Sequence, residues 1–204
     1  MTTARLELPP TLRTPNLDDV PNKAEIVDSI KKSLNANIVQ GFVVKQNKSK
    51  ELPFTFYAEI NVNNSKLWDL FKTLTLHLPD EISFIFNHSD DEATYGNYQD
   101  KYALINKLSN FETELSQDCF LEFGAIHQTD DFLEEVFVDC TKYIKYWGMQ
   151  ELEFRKVMNE FQILEIPDLN FIDEFPKVRE ALRLHADNII ETDELIETLK
   201  KEFT

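Results

Sequence analysis

Residues 54–87 read FTFYAEINVNNSKLWDLFKTLTLHLPDEISFIFN, and this stretch decides the fold class. Spans rich in β-branched and aromatic residues, 54–62 and 81–87, flank a segment where Leu67, Leu70, Phe71, Leu74 and Leu78 recur at helical spacing. That order predicts strand, helix, strand. Asn64 or Ser65 is placed to cap the helix. Leu78-Pro79-Asp80 stops it, because proline pushes the preceding residue out of the α region.

Upstream, residues 38–45 read as a second strand, and the polar link 46–51 as a hairpin loop. Before it, Ile26, Val27, Ile30 and Leu34 predict a helix, with Asn22 and Glu25 spaced as a capping box. Residues 1–21 hold half of the chain's 8 prolines, so a Pro-rich extended arm is expected there, followed by a single α+β domain over 22–204. Downstream, a polar loop over 88–98 leads to a helix over 100–108. Strands are expected at 119–127, 133–140 and 142–147. Three helices should follow: one through Phe154, Val157, Met158 and Phe161, one opened by Pro176 and running to about His185, and one beginning at Thr192.

Short links between successive strands favour antiparallel pairing, so the expected class is α+β, a mainly antiparallel sheet with helices packed on one face. With only 4 glycines, a turn-dense barrel or sandwich is disfavoured. The helix, Pro-Asp stop and following apolar run of 67–85 find a counterpart at 154–172. Two pseudo-repeated β-α-β halves, about 52–87 and 141–173, would give this pattern. So would two amphipathic helices that happen to share a common stop.

Charge is the compositional outlier: 21 Lys plus Arg face 37 Asp plus Glu, a formal net charge of −16. Such a field repels phosphate backbones and anionic lipid, and it speeds encounter with basic proteins. Nucleic acid and membrane are therefore not expected partners, and a basic protein is. No run approaches the ~18 apolar residues of a membrane span. The start MTTARLELPP carries no apolar core of a secretory leader, so a cytoplasmic location is expected. Cys119 and Cys140 form no C-x-x-C pair and predict neither disulfide framework nor zinc site.

No nucleophile elbow, phosphate loop or dinucleotide fingerprint occurs. The only metal candidate is the loop carrying His88, Asp90, Asp91 and Glu92, an imidazole and three carboxylates just past a strand end. It lacks the EF-hand ladder, and a solvated acidic loop is the preferred reading; no cofactor is expected. His127 could meet either cysteine across neighbouring strands, but the acids around both thiols oppose nucleophile chemistry. His77 and His185, placed on helices, have no partner at ligand spacing.

Contact candidates are more numerous. In 141–147 (TKYIKYW), strand alternation puts Tyr143, Lys145 and Trp147 on one face and Lys142, Ile144 and Tyr146 on the other. One face should be core, the other an aromatic contact surface. Asp130, Asp131, Glu134 and Glu135 crowd a hairpin, and Asp173 and Glu174 lie between Ile172 and Phe175. The expected function is an acidic protein-binding module, of the kind that immunity or antitoxin proteins use to mask a basic partner such as a nuclease toxin. The alternatives are a small-ligand binder or enzyme with a cleft between two halves, and a regulatory domain.

Overall fold

The structure, a computed structural model, describes residues 4–204. In chain order the strands are β1 (Leu12–Arg13), β2 (Gly41–Gln46), β3 (Phe56–Asn61), β4 (Glu81–His88), β5 (Thr94–Tyr95), β6 (Gln99–Asp100), β7 (Leu121–Gln128), β8 (Leu133–Val138), β9 (Ile144–Gly148) and β10 (Val178–Arg179). The α-helices are α1 (Ala24–Asn35), α2 (Asn64–His77), α3 (Lys101–Leu108), α4 (Glu112–Gln117), α5 (Glu151–Glu160) and α6 (Thr192–Phe203). The fold is α+β. An 8-stranded sheet runs β2-β3-β9-β8-β7-β4-β5, with β6 also on β4, and every pairing in it is antiparallel. β1 and β10 form a separate antiparallel pair.

Helices α2 to α6 cover one face of the large sheet. Phe56, Ala58 and Ile60 of β3, Phe84 and Phe86 of β4, Phe123 of β7 and Tyr146 of β9 meet Leu70 and Phe71 of α2, Phe154 of α5 and Phe203 of α6 in one core cluster. Alternation explains the selection, since residues two apart along a strand share a face. Helix α1 does not join that cluster. Its Asp28, Lys31, Lys32 and Asn35 border a groove with Asn170 and Phe175.

Several expected elements move, most of them for a non-local reason. The capping box at Asn22 does not form: Lys23 donates its N–H to the Pro21 carbonyl (2.7 Å), and α1 opens at Ala24 with no side-chain cap. Asn63 precedes α2, and its side chain is engaged by the Glu7 N–H (3.0 Å), while Asn64 donates to the Ser116 carbonyl (2.8 Å). The strand expected from Lys142 starts at Ile144 instead. Lys142 is left-handed (φ 62°) and buried, and its ammonium donates to the carbonyls of Leu115 (3.1 Å) and Leu121 (2.7 Å). Leu115 lies in the last turn of α4, where carbonyls lack intrahelical partners. Helix α4 itself has too few apolar residues to be read from spacing.

The helix expected over 176–185 is absent. Val178 and Arg179 pair with Arg13 and Leu12, the Glu180 N–H bonds the Thr11 carbonyl (2.9 Å), and Leu182–Leu184 make a single 3-10 turn. The pseudo-repeat also lacks its second returning strand, because Ile172–Glu174 is a 3-10 turn rather than a strand of the sheet. In the N-terminal stretch, Leu6 donates its N–H to Ile38 (3.0 Å), and Leu12 is buried with Ile38, Cys119 and Ile172. Among the described residues, no helix is long and apolar enough to cross a membrane.

Candidate functional site

The sheet face opposite the helices is covered only in part, and strand register arranges it in two cross-strand rows. One row is Lys45, Tyr57, Trp147, Glu135, Ile126 and Ser83. The other is Val43, Glu59, Lys145, Phe137, Gly124 and Ile85. Side chains opposite one another on neighbouring strands approach to roughly 4.5–5.5 Å between Cβ atoms, so each row is a line of contacts. The Tyr57 and Trp147 rings lie 4.9 Å apart. Phe137 extends over Gly124, where a Cβ would come within 3.0 Å of its ring. The Val136 carbonyl would be nearer still (2.6 Å), so glycine there permits a close approach of both backbone and ring.

Both lysines on this face are already paired. Lys45 bonds Glu59 (3.0 Å) and lies 5.8 Å from the Tyr57 ring; Lys145 bonds Asp139 (2.7 Å) and lies 5.2 Å from the Tyr143 ring. Asp139 is held below the ordinary carboxylate range: burial opposes its ionisation, but the Lys145 ammonium and the Thr141 N–H and hydroxyl outweigh that. Glu135 has no such support. Burial between Ile126 and Trp147 pushes its carboxyl up to about 7, with Lys145 pulling weakly the other way. Tyr57 is also raised, first by burial and then by Glu59, to which its hydroxyl donates (3.1 Å).

Residues 165–174 cross one end of this face. Leu169 and Phe171 pack with Val39 and Tyr143, the Tyr143 and Phe171 rings lying 5.0 Å apart. Between this segment and β2 lies a cleft of about 590 Å³, lined by Val43, Val44 and Lys45 on the sheet side. Glu59, Glu165, Asp173 and Glu174 supply its acids. Tyr143 donates to Asp173 (3.4 Å), whose carboxyl is raised by burial and by Asp139.

The eight contact candidates thus separate. Trp147 and Glu135 are partly exposed on the uncovered face, Tyr143 lies on the same side but is buried under Leu169 and Phe171, and Asp173 and Glu174 line the cleft. The Glu174 carboxylate accepts the Phe171 N–H (2.7 Å) and an amide N–H of Asn170 (3.0 Å). Glu134 points the opposite way, by alternation with Glu135. It is 4% exposed on the helix side, accepts the Met149 N–H (3.2 Å), and borders a cavity of about 110 Å³ with His77 and Tyr146. Its carboxyl is raised by burial. Asp130 and Asp131 are exposed in the β7–β8 turn, where Asp130 borders a cavity of about 710 Å³ with Ser83, Tyr95, Tyr98 and Ile126. Tyr57 and Glu59 were not singled out from sequence, although alternation through AEIN from Tyr57 to Asn61 places them opposite the core residues Phe56, Ala58 and Ile60.

The thiol and metal candidates resolve differently. Cys119 is buried, accepts the Thr11 hydroxyl (3.1 Å) and is raised by burial. Cys140 is pushed up to about 12 by burial and by Asp139 and Glu122. His127 lies toward the far end of β7 from both, with Nδ1 2.6 Å from the Glu81 carbonyl. His88 ends β4 and stacks on Phe120 (5.9 Å), while Asp90, Asp91 and Glu92 are exposed. Among the described residues, the ligand-type atoms that converge belong to Glu122, Asp139 and Cys140. Their carboxylates already accept Asn87 (2.8 Å), the Cys140 N–H (3.3 Å), Thr141 and Lys145, so the protein's own donors close that group. His185 leaves its expected helix and bonds Glu180 (2.9 Å).

Compared with known protein families, with curated proteins and with solved structures, the chain finds no match.

Proposed function

We propose that this protein is an acidic binding module whose uncovered sheet face docks a basic protein. One observation carries the proposal: Tyr57, Trp147 and Phe137, each partly exposed, are interleaved there with Glu59 and Glu135, and the two lysines of these rows, Lys45 and Lys145, are already matched to carboxylates, with Lys48 at the margin beside Tyr57 and Trp147. Aromatic side chains supply contact area at low entropic cost, and surplus carboxylates select a cationic partner. Glu135 fits the same reading, since a carboxyl destabilised by burial gains most from an incoming cation. The concrete form we favour is an immunity-like protein that masks a cationic toxin such as a nuclease.

Capture from the native cell tests this. A basic protein should be retained at low salt, released as salt rises, and lost with Trp147→Ser or Glu59→Lys. It should be retained by Glu194→Lys, which makes the same charge change on an exposed turn of α6. Equal loss with all three variants would reduce the interaction to bulk charge and overturn the proposal. Capture unchanged by the first two would remove this face as the docking surface.

A further inference from the structure

The edge of the sheet at β2 carries an observation independent of its face. Phe42 donates its N–H to the Leu164 carbonyl (3.0 Å), and its own carbonyl accepts the Ile166 N–H (2.9 Å). The chain therefore adds a one-residue parallel bridge, Phe42 to Glu165, to the outside of β2. In an antiparallel ladder the backbone groups of alternate residues point toward the neighbouring strand and away from it. Phe42 points away from β3, so Val44 and Gln46 do as well. Among the described residues, neither makes a backbone bond across that edge. The bridging segment leaves at once: the Ile166 carbonyl, next in the ladder, instead accepts the Leu169 N–H (3.2 Å) in a turn that contains Pro167.

An open edge of this kind is a template for another strand. The opposite end of the sheet is different: β5 is two residues long, and the chain beyond it is held by the Gly96 N–H on Phe84 (2.8 Å) and the Asn97 N–H on Phe203 (2.7 Å). Beside the free groups of Val44 runs the cleft of about 590 Å³, with Val43, Val44 and Lys45 on the strand side and Glu165, Asp173 and Glu174 across from it. Glu165, Asp173 and Glu174 are exposed, Glu165 being shared with Arg155 (2.8 Å), and the one cation lining the cleft, Lys45, is paired with Glu59. Leu164, where the bridge begins, is 72% exposed.

We propose that β2 binds an extended, lysine- or arginine-bearing segment of a partner protein as an added strand, pairing with Val44 and Gln46 and placing its cations among Glu165, Asp173 and Glu174. In strand addition the main chain supplies affinity and alternate side chains supply selection. The nature of the segment rests on the basic-partner reading; the availability of the edge does not.

Three short blocked peptides test it on the full chain: one alternating lysine and threonine, the same peptide N-methylated at every residue, and one alternating glutamate and threonine. The first should slow hydrogen exchange at the Val44 and Gln46 amides by about tenfold or more and leave Phe42 unchanged, as expected for amides that gain a partner. The N-methylated peptide keeps the charge and side chains but has no backbone N–H donors, and should bind about tenfold more weakly. Equal binding of these two, without protection at Val44 and Gln46, overturns strand addition and leaves charge-driven docking on the sheet face standing. Protection by the glutamate peptide as strong as by the lysine peptide keeps strand addition and overturns the basic partner. Protection by none of the three overturns the inference.

Discussion

Glu135 holds a carboxyl in cross-strand contact with Ile126 and Trp147, and burial there shifts its ionisation from 4.5 to about 7. The unfolded chain releases that proton first. Stability contributed at this position is therefore intact below about 4.5 and falls as pH rises through about 7. Each pH unit of displacement corresponds to about 1.4 kcal/mol, and residual exposure reduces the total, so Glu135→Gln should stabilise the protein by about 1–2 kcal/mol at pH 8 and by little at pH 4. Urea unfolding at the two pH values measures this; a gain of equal size at both would show that the group is not strained by burial. Its neighbour Glu134 illustrates what a one-dimensional cluster conceals. The two acids are adjacent in sequence, yet strand pleating sends one to the aromatic face and the other beneath the helices. Sequence alone marks both as acidic; only the register tells which of them lies on the aromatic face.

At the scale of elements, legibility follows the range of the forces involved. Helix α2, its stop at Leu78-Pro79 and strand β4 were readable because periodicity and a proline act within a few residues. The sheet class was readable from short links, and the alternation of 141–147 placed Tyr143 and Trp147 together, away from Ile144 and Tyr146. Residues 176–185 were not readable, because a helix-compatible pattern there yields to partners far away in sequence. Leu12 and Arg13 pair with β10, while the Arg179 guanidinium bonds Ser89 (2.7 Å) and the Cys119 carbonyl (3.3 Å) and lies 4.9 Å from the Phe120 ring. The cleft beside β2 was invisible for the same reason, since it needs residues 165–174 to cross the sheet. The β1–β10 pair makes a separate prediction. Leu12 is 3% exposed and packs on Cys119 and Ile172, so Leu12→Ala should cost about 2–4 kcal/mol. It should also quicken the reaction of Cys119 with a thiol reagent under native conditions. Unaltered reactivity would mean that the pair does not shield Cys119.

For the whole molecule, a net charge of −16 acts in two opposite ways. Acids crowd the start of α6, the exposed residues 90–92 and the β7–β8 turn as well as the sheet face, so like charges repel across the surface and oppose the compact state. The sheet face stands out by what accompanies its carboxylates: partly exposed rings of Tyr57, Phe137 and Trp147, and the paired lysines Lys45 and Lys145. Salt separates the two consequences. At about 0.5 M monovalent salt the screening length drops well below its ~10 Å value at 0.1 M, which weakens repulsion within the molecule. The unfolding midpoint should then rise by a few degrees, the equivalent of about 1 kcal/mol in a chain of this size. The same screening should slow association with a basic partner, because steering acts across the longer distance. Stability and association rate should therefore move in opposite directions along one salt series. A midpoint that stays flat while association slows would show that the acids are already balanced by cations within the fold, and that their field acts on the partner rather than on the molecule's own stability.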